Sequence, residues 1–91
     1  MFTEFATRLL EEVRPKLSVE TQGFIAQDIA DGQMNQAVMQ AIIGVADEHV
    51  AISPGLHAEI VHRIRDGASF RRKDAGLLER YIPELSVASS A

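Results

Sequence analysis

The stretch QMNQAVMQAIIGVADEH, residues 33–49, decides the fold class. Met34, Val38, Ala41, Ile42 and Val45 recur at i, i+4, i+7, i+8 and i+11, the spacing that places them on one face of a helix. Met39 and Ile43 carry apolar character further around the cylinder. A helix apolar on so much of its circumference is expected in the centre of a small domain. Gly44 lies inside it and costs about 1 kcal/mol relative to alanine, so another helix is expected to approach closely there.

Working outward, the preceding segment opens at Ser18, a good N-cap, with Glu20 in the first turn where the helix dipole favours a carboxylate. Phe24, Ile25 and Ile29 form its expected stripe, and Gly32 matches the position just past a helix end. Upstream, Phe5, Leu9 and Val13, widened by Leu10, predict a helix from about Thr3, its N-cap, to Arg14, where Pro15 ends it. Downstream, Ser53-Pro54 pairs an N-cap serine with proline at the first helical position. That helix carries Leu56, Ile60, Val61 and Ile64 and stops at Asp66-Gly67. A last segment between Ser69 and Ile82 presents Leu77, Leu78, Tyr81 and Ile82 before Pro83.

Strand signals are confined to the connector Val50-Ala51-Ile52, and one short extended piece does not make a sheet. The expected fold is all-α, a compact bundle of four or five short helices in a single domain over residues 1–85. Residues 86–91 are expected to be a flexible C-terminal tail with little to bury. For 91 residues the radius of gyration should be about 12 Å and the core modest.

Composition removes several classes of function. With no cysteine there can be no disulfide, thiolate metal site or thiol nucleophile. No apolar run approaches the ~20 residues of a membrane span, and the start Met1-Phe2-Thr3-Glu4-Phe5 has no basic region of a secretory signal. A cytoplasmic location is the expectation. His57 and His62 are five residues apart and do not share a helix face, so no two-histidine metal pair forms. Glu59 and His62 make a single Glu-x-x-His where di-iron bundles need two. Asp47-Glu48 are sequence neighbours that diverge on a helix, and no phosphate-loop, dinucleotide or nucleophile-elbow motif occurs. No enzyme, cofactor or metal is expected.

Charge is the remaining signal. From Leu17 to His62 no Lys or Arg occurs in 46 residues, against six acids: Glu20, Asp28, Asp31, Asp47, Glu48 and Glu59. The flanks are neutral or basic, with Arg71-Arg72-Lys73 the densest cluster and Arg63 and Arg65 near it. With a pI of about 5.2, nucleic acid is not expected as a partner; the cluster should solvate a loop and pair with Asp74 or the acidic middle. Unpaired acids attract a basic partner and speed its encounter. The expected partner-binding residues are therefore Glu20, Asp28, Asp31, Asp47 and Glu48, gathered at the two ends of the central helix.

From Phe24 to about Ile64 the order of features resembles the MafI family of bacterial immunity proteins, partners of secreted polymorphic toxins. The residues concerned are Ile29-Ala30-Asp31-Gly32 closing one helix, Gln36-Ala37-Val38 and Ile42 in the next, then Asp47-Glu48 and Val50-Ala51-Ile52-Ser53. Gln33 and Val38 stand where the family pattern prefers an acid and a leucine, and no residue role is carried over. The resemblance implies a small cytoplasmic antidote that binds a cognate protein toxin, in many cases a nuclease with a basic substrate surface. The alternative from the residues alone is a helical self-association or adaptor domain, using apolar surfaces such as Met39 and Ile43.

Overall fold

Two helices, α2 (Val19–Ala30) and α3 (Met34–Asp47), form an antiparallel hairpin at the centre of the computed structural model, which describes residues 1–89. The turn between them is set by Gly32 at φ +73°. The Gly32 N–H donates to the Ile29 carbonyl at 3.0 Å and the Gln33 N–H to Asp28 at 2.8 Å, the paired bonds that close a helix around a left-handed residue. The end of α3 repeats this closure with His49 in the glycine's place, at φ +54°. Its N–H donates to Ala46 at 3.4 Å, and the Val50 N–H donates to Val45 at 3.0 Å. A side chain in that conformation costs about 1–2 kcal/mol. Val50, packed on the core just beyond, offsets part of it.

The hairpin is covered by α1 (Phe2–Val13), which buries Phe5, Ala6, Leu9, Leu10 and Val13 and runs into a 3-10 turn at Arg14–Lys16 containing Pro15. This helix starts one residue before Thr3, which does not cap it; Met1 takes the cap position with no side-chain bond. Two further helices complete the fold. The first, α4 (Pro54–Arg65), buries Leu56, Ile60 and Ile64; the second, α5 (Arg72–Glu79), buries Leu78 and is followed by a 3-10 turn at Ile82–Glu84. Among the described residues the fold is thus an all-α bundle of five helices.

One addition to it was not expected. The connector strand β1 (Ala51–Ile52) pairs in parallel with β2 (Ser86–Val87), Ala51 opposite Ser86 and Ile52 opposite Val87. The Ala88 N–H then donates to the Ile52 carbonyl at 2.8 Å. The expected tail is therefore tied down at residues 86–88, because Ile52 is fully buried and its backbone offers an open edge. Residues 90 and 91 of that tail lie outside the described residues.

Val38, Ala41, Ile42 and Val45 are fully buried, as their spacing requires. Met39 is buried too, so it cannot serve as a free association surface, while Ile43 is half-buried. Three members of the expected stripes face solvent instead: Met34 is 37% exposed, Leu77 40% and Phe24 56%. Met34 opens α3 and overhangs the end of the core. Phe24 is a sequence neighbour of the buried Ile25, and neighbours on a helix point about 100° apart. Gly44 has the expected neighbour: a Cβ there would lie 3.0 Å from Thr21 Cγ2 and 3.1 Å from Leu17 Cδ2. The radius of gyration is 12.1 Å. Among the described residues no helix is long and apolar enough to cross a membrane.

Candidate protein-binding face

The acids of the central window have different fates. Glu48 is half-buried and bonded within the molecule. Its carboxylate accepts the Ser18 N–H at 2.7 Å, the Ser18 hydroxyl at 3.0 Å and the Thr21 hydroxyl. Ser18 in turn accepts the Thr21 N–H at 3.1 Å as the N-cap of α2. Glu48 at the end of α3 therefore clamps the start of α2. The Thr21 hydroxyl, then the Ser18 N–H and hydroxyl, hold its carboxyl below the usual range against the opposing effect of burial.

The same device recurs at α4. Glu12 of α1 accepts the Ser53 N–H at 2.7 Å and its hydroxyl at 2.8 Å, while Ser53 caps α4 through the Leu56 N–H. Burial pushes the Glu12 carboxyl up, but the two Ser53 bonds, with the charges of Lys16 and Arg8, leave it lowered overall. Both carboxylates anchor helix starts and are not free to meet a partner.

Asp28 is half-buried, with its Oδ2 out of contact with solvent. Asp31 is exposed and accepts a bond from Gln27 at 3.1 Å. Glu20 and Asp47 are exposed. The antiparallel hairpin puts Glu20 and Asp47 at one end and Asp28 and Asp31 at the other, about 20 Å apart along the 14 residues of α3. Of the five expected binding acids, three are exposed, one is half-turned inward and one is a structural clamp.

What joins the two ends is the outer side of α2. Only Ile25 of its twelve residues is fully buried. Val19, Gly23, Ala26 and Ala30 run along one flank of the outer surface, and Glu20, Phe24, Gln27 and Asp31 along the other. Val19 is 85% exposed and, with Phe24, places large apolar side chains in water beside two acids. Sequence reasoning missed this face by assigning Phe24 to the core. Adjacent apolar positions on a helix can both be buried, as Leu9 and Leu10 are in α1, so nothing local in the sequence marks Phe24 as the one that turns outward.

The basic side lies elsewhere. Arg65 pairs with Glu79 at 2.7 Å, and Arg63 sits 5.5 Å from the Phe5 ring centre and 3.9 Å from Glu59. Arg71, Arg72 and Lys73 open α5 as exposed residues, and among the described residues neither they nor Arg80 join an ion pair. The expected internal pairing with Asp74 or the acidic middle does not form, because α5 turns these side chains outward. A shallow groove of about 350 Å³ lies between the end of α3 and α5, lined by Asp47, His49, Leu77, Arg80, Tyr81 and Glu84 among others. Among the described residues no group of three or more His, Asp or Glu side chains is arranged to hold a metal ion. In comparisons with protein-family models, curated proteins and solved structures, the chain matches none.

Proposed function

We propose that this chain is a non-catalytic immunity protein of the MafI kind that binds and neutralises a cognate bacterial toxin in the cytoplasm. The observation that supports the reading most is the outer face of α2. There Val19 and Phe24 stand exposed beside Glu20 and Asp31, within a stretch that has no Lys or Arg from Leu17 to His62. An apolar centre supplies contact area, and an acidic rim steers a basic partner and rejects an acidic one. Asp47 at the far end of α3 extends the field. Inhibition by occupying a basic substrate surface requires no chemistry of the inhibitor's own.

The partner is expected to be a secreted multidomain toxin encoded beside this chain. Co-expression with its toxic domain should restore growth to cells that the domain arrests. Charging the apolar centre, Val19→Asp with Phe24→Asp, should abolish protection at an unchanged thermal midpoint. Protection that survives this change, or none from the unaltered chain, refutes the reading.

A further inference from the structure

We infer that a second copy of this chain docks its α5 antiparallel on α2. The two helices present the same spacing of residue types, with an acid opening the α2 pattern and cations at both ends of the α5 pattern. On the outer side of α2, Glu20, Gly23, Phe24 and Gln27 follow at i, i+3, i+4 and i+7; on α5, Lys73, Gly76, Leu77 and Arg80 do the same. Each pattern sets a glycine beside an exposed apolar side chain, Phe24 at 56% and Leu77 at 40%. At both Gly23 and Gly76 a Cβ would meet nothing within 4 Å, so each glycine leaves an open notch in its surface.

Antiparallel docking sets each apolar side chain against a glycine and the acid against a cation. With Glu20 opposite Arg80, Gly23 falls opposite Leu77, Phe24 opposite Gly76, and Gln27 opposite Lys73. Both apolar side chains then seat in a notch, and the acid meets a cation that has no ion pair among the described residues. Within one molecule both faces look to solvent, so the occupant is a second molecule. An eight-residue helix is only about 12 Å long, so one such contact is smaller than a standard stable interface and the association is weak and salt-sensitive. The inference does not rest on the toxin reading. It does make self-association and a basic partner competitors for α2.

Sedimentation of the full chain alone, at low and high salt, tests it. The average mass should rise with concentration from the 10.0 kDa monomer at low salt and fall back at high salt. Glu20→Arg and Arg80→Glu should each weaken association about two- to fivefold, and an equimolar mixture of the two variants should recover it through the swapped pair. Gly76→Leu should abolish association by filling a notch. It should hold or raise the thermal midpoint, because leucine is the better helix former, which separates a lost contact from a lost fold. A monomer at every concentration in low salt overturns the inference. So does a mixture no better than its components, or association that survives Gly76→Leu.

Discussion

Glu48→Ala is the substitution that separates a structural from a recognition role for the acidic window. In the folded chain Glu48 holds the Ser18 N–H, the Ser18 hydroxyl and the Thr21 hydroxyl. Charge-assisted bonds are worth about 1.5–3 kcal/mol each where shielded, but here water can replace the carboxylate. The Ser18 cap itself survives, so the loss should resemble that of one helix cap, about 1–2 kcal/mol. In a domain of this size each kcal/mol moves the thermal midpoint by about 4–8 °C. A fall of about 5–15 °C is expected, read by circular dichroism. On a Ser18→Ala background the same change should cost somewhat less, since one of the carboxylate's three donors is already gone while the residue-18 N–H and the Thr21 hydroxyl remain. The pH dependence has a defined sign. The folded carboxyl is held below its ordinary value of 4.5, so its stabilisation is present above that pH and fades as pH falls through the lowered value. The gap between unaltered and Glu48→Ala proteins should therefore narrow below about pH 4.5. A midpoint that does not move at neutral pH, or a gap that widens in acid, refutes the clamp.

Three further outcomes follow from the packing and the charge layout. Ile42→Ala removes a fully buried side chain from the central stripe and should cost about 2–5 kcal/mol in urea unfolding; a midpoint that barely shifts would place Ile42 at the surface. Gly44→Leu puts a side chain where even a Cβ would lie 3.0 Å from Thr21 Cγ2, and overpacking the hairpin should destabilise by about 1–3 kcal/mol or more, whereas a gain would mean the helices are not in close approach. Replacing Arg71, Arg72 and Lys73 with glutamine should leave affinity for a basic partner unchanged or slightly improved, by removing like-charge repulsion; calorimetry showing a clear loss would put that end of the molecule in the interface.

The helices were legible because their signals are local. Ser18, Ser53, Gly32 and Gly67 mark starts and stops that a chain can use without tertiary help, and the α3 stripe repeats often enough to fix its inward face. Two kinds of feature were not legible. Phe24 carries the hydrophobicity of a core residue, and only the packing of α2 on its neighbours decides that Ile25 turns inward and Phe24 outward. Glu48 and Glu12 read as surface charge because their partners lie 30 and 41 residues away. The β1–β2 pair was hidden for the same reason: Ser86-Val87 has no strand character until Ile52 supplies an edge. Among the five acids chosen from the charge window, exposure separates Glu20, Asp31 and Asp47 from Asp28 and Glu48, a distinction that formal charge does not contain.

The two serine clamps are nested along the chain, and the nesting gives folding an order. The Ser18–Glu48 bond closes a loop of 30 residues that lies wholly inside the 41-residue loop closed by Ser53–Glu12. Once the α2–α3 hairpin has formed and its clamp has shut, only about 11 of those 41 residues remain as free chain for the outer closure. Chain-closure entropy grows with the logarithm of loop length, so the outer loop then costs about 1 kcal/mol less to close. The reverse order reaches the same total but passes through the costlier intermediate, because the full 41-residue loop must close first. The route of least entropy therefore runs from the hairpin outward, docking α1 against α4 only after α3 has met α2.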